Sequence, residues 1–234
     1  RSMPEHTLQI VDKETLAQEM ALRQQGLLAE LARIVTREKE SHEQTSQLNI
    51  AWEQAGKLTQ TEVQSLRGLG FTEREIRRAI SDTQDGLLAK TAALAADLKH
   101  NRIDDPVMSD QLEQLRQTLR RVDTEQLSPL QSALTAARKH AQNEADAGSE
   151  NDPTTSSSPK GVKALTRAET YQNQAIASLQ PLVDALLRSN RYRRLTQNLA
   201  AIADQQEKIR KTTEGLTNTC LLYTSDAADE GLGV

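Results

Sequence analysis

The sequence predicts an all-α protein: long amphipathic helices packed as antiparallel hairpins or coiled coil into an elongated body. Three observations carry this. Apolar residues recur along most of the chain in alternating four- and three-residue steps, the spacing of a helix face that packs on another helix. Aromatic residues make up only 2% of the chain, with one Trp and one Phe, so the large side chains that dominate thick cores are scarce. Only 36% of residues are hydrophobic, which suits thin helix-on-helix seams better than a round domain.

Residues 7–11 have the composition of a short extended piece, and a first long helix is expected over 11–49. Its stripe runs Leu27, Leu31, Ile34, Glu38, Ser41, Thr45, Leu48, with Trp52 placed to anchor the end. The polar middle of that stripe costs stability but fixes register and partner number. Thr72 and Glu75 fit a capping box with Phe71 as its staple, which predicts a helix start there. Ile76, Ile80, Thr83 and Leu87 would continue one face to Leu94 and Leu98, with Gly86 weakening the helix without ending it.

Residues 100–106 read as a turn, with Asp105 as N-cap and Pro106 as first helical residue. Met108, Leu112, Leu115, Leu119 and Val122 form the next stripe, and Ser128-Pro129 predicts a break or kink before 130–142. Residues 144–162, polar and rich in Gly, Pro and Ser, are expected to be a disordered linker. Beyond it Leu165, Gln172, Ile176, Leu179, Val183 and Leu186 share a face that Pro181 should kink.

A last helix after Asn190 carries Leu195, Leu199, Ile202, Gln206, Ile209, Thr213 and Leu216 in heptad register. This stripe lies residue for residue over the one that starts at Leu27. A tandem array of helical units and the chance match of two heptad helices both account for it. The expected helix-seam residues are Leu27, Leu31, Ile34, Leu112, Leu115, Leu119, Leu195, Leu199, Ile202 and Ile209. The expected divisions are a helical hairpin segment at 1–143, the linker at 144–162, a second helical segment at 163–219 and a tail at 220–234.

The tail, Cys220 to Val234, reads CLLYTSDAADEGLGV, and its core resembles the translation of a transposon-type sequencing adapter. It is expected to be non-native, with the natural chain interrupted near Thr219 and, since Arg1 is no initiator, at the start too. Without it the chain has no cysteine, hence no disulfide framework and no thiol nucleophile. Setting aside Asp226, Asp229 and Glu230 brings the formal charge from -4 to -1. A near-neutral chain lacks the broad basic field of nucleic-acid or membrane-surface binders.

Catalytic chemistry finds no footing. His6, His42, His100 and His140 stand far apart, and none has a His or Cys partner at ligand spacing, so no metal and no cofactor is expected. Glu73 and Arg77 read as an i,i+4 surface pair. Gly68 and Gly70 lack the Lys-Ser/Thr ending of a phosphate loop. One basic cluster, Arg188, Arg191, Arg193 and Arg194 around Tyr192, has the makings of a single-strand or anionic-membrane patch. Cations opposing the dipole of a preceding helix explain it as well. No enzyme and no nucleic-acid partner is expected.

The stretch around ADLKHNRIDDPVMSDQLEQL, with LTAARK after it, resembles part of the large uncharacterised helical envelope proteins of planctomycete-type bacteria. Arg191-Tyr192-Arg193-Arg194 followed by LTQNLAAIADQQEKIRKTTEGL is similar to another of their recurring blocks. The resemblance implies a membrane segment ahead of long coiled-coil-rich repeats, hence a membrane-anchored, extracytoplasmic scaffold with no catalytic residues to carry over. The expected function is a non-catalytic structural scaffold or interaction segment whose partners are protein, either itself or other helical segments. The alternative is a regulatory module that docks a partner helix in trans.

Overall fold

The computed structural model describes residues 12–147 and 159–229, and every described element is helical. Helix α1 spans Lys13–Ala55. The Asp12 side chain caps it by accepting the Thr15 N–H at 2.7 Å, satisfying a donor that the first turn leaves without a partner. The helix stops at Gly56, whose left-handed backbone (φ 73°) lets its N–H reach back to the Trp52 carbonyl.

Helix α2, Gln60–Ser81, begins a full three turns before the sequence motif suggested. The working capping box is Thr59 with Glu62, where the Thr59 N–H donates to the Glu62 carboxylate (2.7 Å) and the Glu62 N–H donates to the Thr59 hydroxyl (3.3 Å). Thr72 and Glu75 therefore sit inside α2. Phe71 is no staple; it is 53% exposed, with the Arg74 guanidinium 4.4 Å above its ring.

Helix α3, Leu87–His100, is separate from α2. The Asp82 carboxylate accepts the Gln84 and Asp85 N–H groups in the intervening turn. Gly86 ends that turn, because a Cβ there would collide with the backbone of Asp82. The expectation of one face running unbroken from Ile76 to Leu98 is corrected accordingly.

Helix α4, Pro106–Arg121, starts as its sequence indicates, with Asp105 accepting the Met108 N–H at 2.9 Å. A π-helical turn, Val122–Leu127, then leads without a break into α5, Ser128–Ala147. In that wider turn the Ser128 N–H reaches the Asp123 carbonyl, giving Pro129 room to follow within a continuous helix. Of the expected linker, 148–158 lie outside the described residues, whereas 144–147 and 159–162 are helical. Residues 7–11 and 230–234 also lie outside them.

Helix α6, Pro159–Asp229, runs through both Pro181 and Asn190, where the sequence suggested a kink and a boundary. The chain divides within this helix into two units, one ending at Leu186 and the other beginning at Leu187.

The first unit buries one continuous aliphatic core. Leu27, Leu31, Ile34, Leu112, Leu115 and Leu119 all lie in it. Trp52 is completely buried, with its indole N–H donating to Glu144 at 3.1 Å. Gly161 lies against its ring so closely that no Cβ would fit. The second unit is different. Leu195, Leu199, Ile202, Ile209 and Leu216 are 54% to 64% exposed, so the seam expected there is not closed among the described residues.

These environments predict separable effects on stability. Leu115→Ala should cost about 2–5 kcal/mol in urea unfolding, whereas Leu199→Ala should stay within about 0.5 kcal/mol of the parent. Gly161→Ala should cost about 1–3 kcal/mol through overpacking against Trp52. A Gly161→Ala chain with an unchanged transition would remove that contact from the core.

Candidate functional site: a buried carboxyl pair and an open apolar stripe

On α1 the stripe that buries Leu27, Leu31 and Ile34 continues through Glu38, Ser41 and Thr45. Helical spacing therefore carries polar groups to positions that leucine occupies elsewhere on the same face. Helix α2 brings Glu73 in the same way, between Leu69 and Ile76, and α6 brings Gln172, between Ala168 and Ala175. All five polar residues are 2% exposed or less.

Their contacts form one network. Ser41 Oγ donates to Glu73 Oε1 at 2.6 Å, and Gln172 Nε2 donates to the same oxygen at 2.7 Å and to Ser41 Oγ at 3.1 Å. The Thr45 hydroxyl is turned back to the Ser41 carbonyl at 2.9 Å. Glu38 lies beside Glu73, and neither has a Lys or Arg ion-pair partner among the described residues. Arg37 is taken by Glu75 at 2.7 Å, and Arg77 by Asp123 at 2.7 Å. The surface pairing of Glu73 with Arg77 expected from the sequence is thus replaced by a longer-range pair and a buried carboxyl.

Two carboxylates enclosed this way would repel, and both Glu38 oxygens and Glu73 Oε2 would be left without a donor. A proton on Glu38 removes one of the two charges and supplies an O–H donor to Glu73. Burial pushes the Glu38 carboxyl up to about 9, with the neighbouring Glu73 charge and their shared hydrogen bond adding to the effect. Glu73 is also raised by burial, though the Ser41 and Gln172 hydrogen bonds oppose the rise. The pair therefore stores a proton near neutrality.

Other expected features are dispersed. His42 is half-buried with Nδ1 unpartnered, His100 is exposed, and His140 is half-buried. No grouping of His, Cys, Asp and Glu among the described residues could hold a metal ion. Arg188, Arg191 and Arg194 are exposed, and the Arg193 side chain lies outside the described residues. They stand within α6 rather than at the end of a preceding helix, so the helix-dipole explanation of this cluster is withdrawn. Glu73 is the one member of the network whose burial went unread. The signal was available in Leu66, Leu69, Glu73, Ile76 and Ile80, whose three- and four-residue steps put the carboxyl on the apolar face.

Comparison with protein-family models, curated proteins and solved structures finds no match for this chain.

The proton sets a direction for stability against pH. Above the ordinary glutamate value of 4.5 the unfolded chain has released this proton, whereas the folded chain keeps it until about 9. The stabilisation is therefore fully present below 4.5 and is lost as pH rises across that window. Urea unfolding should show stability falling by about 1.4 kcal/mol per pH unit for each retained proton. Glu38→Gln, whose amide can donate to Glu73, should flatten most of that slope and leave the variant more stable than the parent at mildly alkaline pH. An equally steep slope in both chains would place the proton elsewhere.

Proposed function

We propose that this chain is a non-catalytic interaction segment of a larger helical scaffold. In this reading residues 12–147 and 159–186 form the folded body, and the stripe from Leu195 to Leu216 docks a partner helix in trans. One observation carries it. The last stripe keeps the a/d spacing of the buried α1 stripe, yet its apolar residues are more than half exposed. Contiguous exposed apolar surface of this kind marks interaction sites, and an i, i+3, i+4, i+7 pattern of anchors marks helix recognition in particular. The polar network at Glu38 and Glu73 supports a structural role, since every member is enclosed in the core and two of its donors are already committed to Glu73.

The resemblance of the NRIDDP and YRR-to-TEGL blocks to membrane-anchored envelope proteins adds an extracytoplasmic setting to the proposal. No helix of the described residues is long and apolar enough to cross a membrane.

Hydrogen exchange on the dilute chain tests the reading. Amides in the body should exchange only through global unfolding, and those of 195–216 should exchange orders of magnitude faster. Protection of 195–216 equal to that of the body in dilute monomer would mean that the stripe is already covered, and the docking role would fall.

A further inference from the structure

We infer that the partner of the Leu195–Leu216 stripe is the same stripe of a second copy, paired parallel and in register. This rests on the docking role proposed above and names its occupant. Assigning heptad positions puts Leu199, Gln206 and Thr213 at a, and Leu195, Ile202, Ile209 and Leu216 at d. The flanking e and g positions, which choose partners by charge, are Thr196, Ala203 and Arg210 on one side and Asn198, Gln205 and Thr212 on the other.

Only Arg210 is charged, and its guanidinium is already held by Glu207 and Glu214 of its own helix. The other charges of this stretch, such as Asp204, Lys208 and Lys211, fall at b, c and f, away from the seam. A stripe so flanked carries no charge code for a distinct partner and offers no repulsion to its own copy.

Gln206 fixes the alignment. In a parallel, in-register pair it meets the Gln206 of the second copy, and an amide holds both a donor and an acceptor, so two copies satisfy each other. Facing leucine or isoleucine, the same amide would be buried without a partner. The Thr213 hydroxyl needs nothing from across the seam, because it donates to the Ile209 carbonyl of its own helix. The paired length is about 30 Å, close to the shortest at which heptads hold together, so association is concentration-dependent. Arg188 and Arg191 occupy the d and g positions just before the stripe, where two copies repel. Pairing therefore begins at Leu195 and strengthens with salt.

Sedimentation velocity on the full chain, across rising concentration and at two salt levels, reads the association. A monomer–dimer equilibrium favoured by salt is expected. The double variant Leu199→Lys, Ile202→Lys should weaken it by about tenfold or more while leaving the unfolding of the body unchanged. Gln206→Glu and Gln206→Lys should each associate about tenfold more weakly alone, and mixing the two chains should restore dimerisation. A chain that stays monomeric throughout, with 195–216 still exchanging fast, would overturn the inference and leave the docking role standing. Dimers that survive the double variant, or charge variants that mixing fails to rescue, would also overturn it. Slow exchange of 195–216 in the monomer would instead sink the docking role itself.

Discussion

The three helices that meet at Glu38, Glu73 and Gln172 are set in register by a hydrogen-bonded network that aliphatic packing alone could not specify. Leucine stripes are nearly degenerate, since sliding one helix by a heptad returns an apolar residue to almost every apolar hole. Displacing α1 against α2 and α6 in this way would take Ser41 away from Glu73 and leave a buried carboxyl with fewer donors. That cost falls on the shifted arrangement and not on the native one, so the network selects a register even if it adds little net stability. With so few aromatic side chains to key the core by shape, the burden of specificity falls on these polar groups and on Trp52.

The proton held between the two glutamates ties this arrangement to solution conditions. An apolar isostere at either position would be drier and cheaper, but it would not distinguish one alignment from another. A lysine or arginine partner would have made the site insensitive to pH near neutrality. The sequence supplies Arg37 and Arg77 within a turn of the two carboxyls, and the fold spends both on surface and half-buried partners instead.

Much of the all-α architecture was legible in the residue pattern, and the failures are physically specific. The α1 stripe, the Asp105-Pro106 start and the buried Met108-to-Val122 face followed from period and cap chemistry that act within one turn. Thr72 and Glu75 misled because a capping box has meaning only where backbone N–H groups lack partners, and inside α2 they are all engaged. Glu73 was misread because Arg77, one turn along the same helix, reaches Asp123 instead, and Glu73 lies on the apolar face. The stripes from Leu27 and from Leu195 have matching spacing, yet one is covered and the other is not. Periodicity gives a helix its face but says nothing about what lies over that face.

The π-helical turn between α4 and α5 shows how such a helix tolerates a change of length. Buried apolar residues follow three- and four-residue steps from Met108 to Val122 and again from Leu127 to Ala141, with a single step of five where the wide turn lies. One residue too many in a regular helix would rotate every later side chain by about 100° and carry the second half of the stripe out of the core. The wide turn absorbs that surplus within one coil and leaves both halves facing inward. Removing one residue at 123–126 would thus return the turn to ordinary α-winding while the phase of the two flanking helices is kept.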